Sequence, residues 1–278
     1  MDTSVDCIIA RERMLNLAVD MDFPSKYAYF ANHAMKVQSG ERINNEPVGI
    51  NADFLLNQGA NVINIELQKP PVSVSTASAQ TKWQTELRSM LVDPLVGLFR
   101  CANHPNRAYF INPTAATALG GDHLQYYLAA GQFIGRSLLN GERLDFHFCV
   151  PLLKMMLGMP ISFSDLEYLD EETYRNLSWL LDNDGVEELE LDFTVNERGS
   201  SGEVRTVELI PAGRNIQVND DNKYEYIDRK FRYALFESVS PQVCVFLKGF
   251  YETVPAELLM LFDYEELDYL LCHDGATS

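Results

Sequence analysis

Two places in this 278-residue chain set a thiol close to an imidazole, Cys272-His273 and His147-Phe148-Cys149. A cysteine nucleophile needs a base within hydrogen-bond reach, and such pairs are neighbours in space rather than in sequence. Adjacent helical residues point about 100° apart, so Cys272-His273 reads as incidental. Cys149 reads as a small buried apolar group. Asp182-x-Asp184-Gly185 opens like a calcium loop. That loop needs a third ligand before a glycine at its position 6 and a Glu at position 12, and here the glycine comes too early. The five histidines never fall at H-x-x-x-H spacing and the five cysteines never at C-x-x-C, so no zinc site is expected. G-x-S-x-G and a Gly-rich lysine loop are also missing. The residues alone therefore predict no self-contained active site, no metal and no cofactor.

The elements that would position side chains are mostly helices. Residues 1–37 read as helix broken at Pro24, and 38–81 as the least regular part, with a Pro-Pro pair and a Ser/Thr/Ala run. Trp83, Leu87, Met90 and Leu91 give helical spacing over 82–92. Leu124, Tyr127, Leu128, Gly131, Ile134, Gly135 and Leu138 share one wide face of a helix over 122–140. Gly131 and Gly135 lie on that face, where they favour close helix packing over nucleotide binding. Pro151 opens a helix over 151–157, stopped by Gly158 and Pro160.

Ser164-x-x-Glu167 reads as a capping box. Asp170 caps a helix over 171–182 with a Tyr174, Leu177, Leu180 and Leu181 stripe. The period then changes. Residues 189–195 alternate as a half-buried strand, 197–203 form a loop, 204–210 a second strand and 216–218 a short third. Helices return over 223–237, 241–251, 255–262 and 264–271. Leu177, Leu180 and Leu181 cannot all face one small sheet, so either part of that stripe lies at the surface, where exposed apolar groups mark partner sites, or all three belong to the core.

Lys plus Arg is 22 against 40 for Asp plus Glu, a net charge of −18. Phosphate backbones repel so acidic a chain, which excludes a general nucleic-acid or anionic-membrane binder and favours partners with a basic face. Scattered cysteines, no secretory pattern in MDTSVDCIIARER and no long apolar run point to a cytoplasmic or nuclear protein with reduced thiols.

From Trp83 to Cys272 the sequence resembles the N-terminal lobe of HECT-type E3 ubiquitin ligases. The resemblance rests on Gly97-Leu98-Phe99, Phe110-Ile111-Asn112-Pro113, Gln132-Phe133-Ile134-Gly135-Arg136, Leu144-Asp145 and Lys154-Met155-Met156-Leu157-Gly158. It continues through Asp165-Leu166-Glu167, Tyr174-Arg175-Asn176-Leu177-Ser178-Trp179, Asn222-Lys223-Tyr224-Glu225-Tyr226-Ile227, Phe246-Leu247-Lys248-Gly249-Phe250 and Glu265-Glu266-Leu267. No one stretch decides it; their order and spacing do.

The resemblance implies an α+β, predominantly α-helical lobe. A large helical subdomain would take residues 1–163 and, after a return, 223–278. A small α/β subdomain, 164–222, would dock the E2 ubiquitin-conjugating enzyme. The implied docking groove comprises Thr173, Asn176, Leu177, Leu180, Leu191, Tyr226 and Lys230. Thr173 stands where the family often has a larger apolar residue, and Lys230 where it often has an aromatic one. The family's ubiquitin-accepting cysteine sits in a Thr-Cys-Phe-like motif of a second lobe, and that motif is not in this sequence. The expectation is a chain that recruits ubiquitin-loaded E2 and forms no thioester itself. The alternative is a stand-alone adaptor that binds an E2 or another protein without transfer.

Overall fold

The computed structural model describes residues 21–38, 87–198 and 202–272. The expectations for 1–20, 39–81 and Trp83 lie outside them. Helix α1 spans Phe23–Gln38, and Pro24 sits in its first turn, where a proline is tolerated because the N–H it lacks has no intrahelical partner. Residues 87–91 are helical. Strands β1 (Phe99–Cys101) and β2 (Tyr109–Ile111) pair antiparallel, Phe99 opposite Ile111. Helices α2 (Ala115–Leu119), α3 (His123–Asn140) and α4 (Val150–Leu157) follow, then α5 (Glu171–Asp182). Strands β3 (Thr194–Arg198) and β4 (Val204–Glu208) form a second antiparallel pair. Helices α6 (Lys223–Leu235), α7 (Ser240–Thr253), α8 (Ala256–Leu259) and α9 (Tyr264–Cys272) complete the described chain. The architecture is α+β and predominantly helical, as the sequence predicts.

The main contact is α3 against α7, and glycine sets its closeness. A Cβ at Gly131 would press into the Phe246 carbonyl and lie 2.8 Å from the Phe250 nitrogen. A Cβ at Gly249 would press into the Leu128 carbonyl and lie 3.2 Å from the Gln132 nitrogen. Each glycine thus receives the other helix's backbone. Around this seam lie Phe99, Tyr127, Phe148 and Phe246, with Phe99 edge-on to Tyr127 and Phe246 at 6.1 and 5.9 Å between ring centres. The Tyr127 hydroxyl, fully buried, donates to the Leu98 carbonyl at 2.5 Å. A buried phenol needs such an acceptor, and here it also joins α3 to the β1–β2 hairpin.

Helix α4 ends as its sequence predicts. Gly158 takes φ 64°, and its N–H returns to the last turn, a conformation a side chain would strain. The capping box is shifted by two residues from the predicted Ser164/Glu167. Ser162 and Asp165 form it, ahead of a 3₁₀ turn over Phe163–Tyr168. Asp165 is the better partner because its buried carboxylate also takes the Lys154 ammonium at 2.7 Å, fastening that turn to α4.

The predicted strand 189–195 is corrected. Val186–Leu189 is a 3₁₀ turn, Glu190 takes φ 49°, and the strand begins only at Thr194. The predicted third strand, 216–218, reduces to one bridge between Asp192 and Gln217. Asp220 explains the turn. Its carboxylate accepts the backbone N–H of Gly185 at 2.8 Å and of Val186 at 3.4 Å, so the chain curls there rather than extending.

These bonds, the Gly185 one first, hold the Asp220 carboxyl below the usual carboxylate range. A depressed folded-state pKa adds stability above the unfolded value of about 3.9, and that stability fades as pH falls through the lower folded value. Asp220→Asn should therefore lower Tm at neutral pH, and the two melting curves should converge below about pH 3, measured by circular dichroism. A gap that persists at acid pH would contradict the assignment.

Candidate functional site

Helix α5 is set by its cap. The Asp170 side chain accepts from the Thr173 N–H at 3.1 Å and from the Thr173 hydroxyl at 2.8 Å, and also takes the Asn103 amide at 3.0 Å. Thr173 is thus half-buried and committed to the cap, and α5 is tied to the loop after β1. A stripe of Leu177 and Leu180 runs down its inner face, at 2% and 3% exposure.

Both leucines are core, because α5 packs on the 3₁₀ turn 163–168 and on α6. There Phe163 meets Tyr174 at 5.4 Å and Phe231 at 6.0 Å between ring centres. Tyr226 is likewise core, at 2% exposure, edge-on to Phe193 at 5.4 Å. Leu177, Leu180 and Tyr226 therefore support this region from beneath. Asn176 is exposed, while Leu191 and Lys230 are half-buried. The Lys230 ammonium lies 2.9 Å from the Tyr226 hydroxyl, to which it donates, and above the same ring. The lysine that departs from the family pattern thus covers Tyr226.

The residues that sequence reasoning missed are the exposed ones. Nine large hydrophobic side chains are exposed among the described residues, and four of them lie within 164–222: Trp179 (48%), Leu189 (45%), Val204 and Ile216, with Tyr224 just beyond. The same stretch holds four Arg and no Lys against sixteen Asp and Glu, a net −12 of the chain's −18. Exposed apolar groups in so acidic a setting suit a partner that is apolar at its contact and basic around it. The signal available in sequence was Trp179, placed three residues from Asn176 and so on the same side of α5.

The cysteines, histidine and carboxylates weighed for chemistry have other partners. Asp184 pairs with the Lys223 ammonium at 2.8 Å, beside the Asn183 carbonyl at 2.6 Å, which gives the calcium-like run a structural role. The Cys149 thiol is fully buried, and desolvation pushes its pKa up to about 12. The Cys272 thiol is also pushed well up, first by burial and then by Asp268. His147 bonds Asp268 rather than Cys149. Only a thiolate reacts quickly, so a maleimide reagent at neutral pH should modify exposed Cys101 and Cys244 well before Cys149 and Cys272. Mass spectrometry of the labelled peptides checks the order, and early labelling of Cys149 or Cys272 would contradict it.

No described helix is long and apolar enough to cross a membrane.

The family described as HECT-domain (ubiquitin-transferase) matches residues 85–277, so the chain belongs to the HECT family and covers part of that domain. It is similar to a probable E3 ubiquitin-protein ligase, hulA, of Aspergillus terreus, at 36% identity over 181 residues, 65% of this chain and 22% of that one. It is also similar to the E3 ubiquitin-protein ligase ptr1 of Schizosaccharomyces pombe, at 35% over 204 residues, 71% of this chain and 6% of the relative. An E3 ubiquitin-protein ligase TOM1-like of Neurospora crassa is 34% identical over 215 residues, 75% of this chain and 5% of the relative. The chain spans 22% or less of the length of these relatives.

Proposed function

We propose that this chain is the E2-docking lobe of a HECT ubiquitin ligase. It recruits a ubiquitin-loaded E2, and transfer runs through a cysteine in a lobe outside this sequence. Residues 164–222 with the start of α6 act as the docking subdomain, and 1–163 with 223–278 as the larger subdomain that carries it. Asn176 and the half-buried Thr173, Leu191 and Lys230 remain the groove positions that the family pattern implies. Leu177, Leu180 and Tyr226 hold the floor beneath them. Trp179 and Leu189 join them as the exposed apolar groups.

The observation that carries this reading is the concentration of exposed apolar side chains in the most acidic part of a HECT-family chain. An apolar anchor from the E2 supplies affinity, and the surrounding carboxylates speed encounter with its basic face. The high thiol pKa values of Cys149 and Cys272 fit a recruiting role, because a thioester needs a thiolate. A titration of isotope-labelled E2 enzymes with the unlabelled chain tests the reading by NMR. At least one E2 should show a localised set of shifted resonances and an affinity that falls as salt is raised. Unshifted spectra across a broad E2 panel would overturn it. A dithiothreitol-sensitive ubiquitin adduct on the chain would overturn the assignment of chemistry to another lobe.

A further inference from the structure

At the end of α9, apart from the docking region, three chemically different side chains converge. Asp268 and Cys272 lie one turn apart on α9, and His147 comes from the segment before α4. One ligand atom from each lies within 4.8 Å of the others. The His147 Nδ1 is 2.8 Å from Asp268 Oδ2. The Cys272 Sγ is 3.7 Å from Asp268 Oδ1 and 3.2 Å from the Phe146 carbonyl, to which it donates. The backbone around them is tied together. The Leu144 N–H donates to the Leu271 carbonyl at 2.6 Å, and Leu144, Phe146, Leu267 and Leu271 are buried beneath. The donors are therefore held in register by contacts that owe nothing to any ion.

An ordinary His–Asp pair with a nearby thiol accounts for each contact singly. It gives no account of their convergence, with one ligand atom from each of three different side chains within 4.8 Å. A divalent cation placed there would favour the Cys272 thiolate and be held by the Asp268 carboxylate. Sulfur excludes magnesium and calcium, and a mixed nitrogen, oxygen and sulfur set suits zinc. Ligands bound tetrahedrally at about 2.0–2.3 Å stand roughly 3.3–3.7 Å apart. At Asp268 Oδ1, Cys272 already meets that spacing at 3.7 Å and His147, at 3.0 Å, needs to open slightly, while His147 and Cys272, within 4.8 Å of each other, draw together on the ion.

We propose that His147, Asp268 and Cys272 form a zinc site, completed by water, that clips the 145–149 segment to the last turn of α9. On binding, the Cys272 S–H bond breaks, its proton goes to solvent and a sulfur–zinc bond forms, so affinity rises with pH.

The test is equilibrium dialysis of the whole chain against zinc, with cobalt(II) absorption as the report on sulfur ligation. One zinc per chain is expected, together with a cobalt–thiolate charge-transfer band. Cys272→Ser should abolish the band and weaken zinc binding at least about tenfold, the scale on which ligand-shell losses act. The double variant Cys101→Ser, Cys244→Ser should keep both. If Cys272→Ser fails to fold, the half-exposed His147→Gln carries the same test through its zinc affinity. Uptake well below one ion per chain, or affinity unchanged in the folded variants, would overturn the site.

Discussion

Gly131→Ala should cost the chain at least about 3 kcal/mol, near the top of what overpacking does, and leave little folded protein at 37 °C. The reason is geometric. The added methyl would meet the Phe246 carbonyl and the Phe250 nitrogen, both backbone atoms of α7, and no rotamer change can move them aside. Helices α3 and α7 would have to separate, opening the seam that Phe99, Tyr127 and Phe246 fill. Gly249→Ala should act alike from the other side, because its methyl meets the Leu128 carbonyl of α3. Gly121→Ala is the control. Nothing lies within 4 Å of the added carbon, so its effect should stay within about 0.5 kcal/mol. Urea unfolding monitored by circular dichroism distinguishes the three variants. Equal stabilities would contradict the close approach.

Leu177→Ala and Leu180→Ala should each destabilise the fold by roughly 2–5 kcal/mol, the range for emptying a packed leucine site. Both side chains lie within the continuous core, where the surroundings relax only partly into the space left. Any loss of E2 binding in these variants should track the loss of folded chain. Leu189→Ala and Trp179→Ala, by contrast, remove side chains that are nearly half exposed. Their stability cost should stay near 1 kcal/mol or less. If Leu177→Ala melts with the parent, the leucine stripe is not the core element described above. Denaturation midpoints at unchanged slope provide the measurement.

Long periodic helices were legible in the sequence because their signal is repeated many times. The stripe from Leu124 to Leu138 places α3, Asp170 places the start of α5, and Gly158 places the end of α4. Short elements were not legible. Strands β1 and β2 have three residues each, too few for alternation to register, and they are held by distant partners: Tyr127 bonds Leu98 and Asn112 at the open end, and Asn103 in the loop bonds Leu169 and Asp170. The alternation from Leu189 to Val195 looks like a strand, yet long-range bonds from Asp220 curl its approach. No local rule reports a partner 35 residues away.

The surroundings of the proposed docking region were legible in part. Amphipathicity showed that α5 has an apolar face. It could not show that α6 and the 163–168 turn would cover that face and leave Trp179 and Leu189 outside. The concentration of acid in 164–222 was countable from the start, but it gains meaning only beside exposed apolar groups.

The central claim is that the exposed apolar side chains of residues 164–222 receive an E2. Its most direct test is calorimetric titration of an E2 that binds the parent chain into the double variant Trp179→Ala, Leu189→Ala, once the variant is shown to melt as a folded protein. The account predicts a loss of about 2 kcal/mol or more, some thirtyfold in Kd, as expected for the loss of apolar anchors. Binding of unchanged strength by the folded double variant would contradict it.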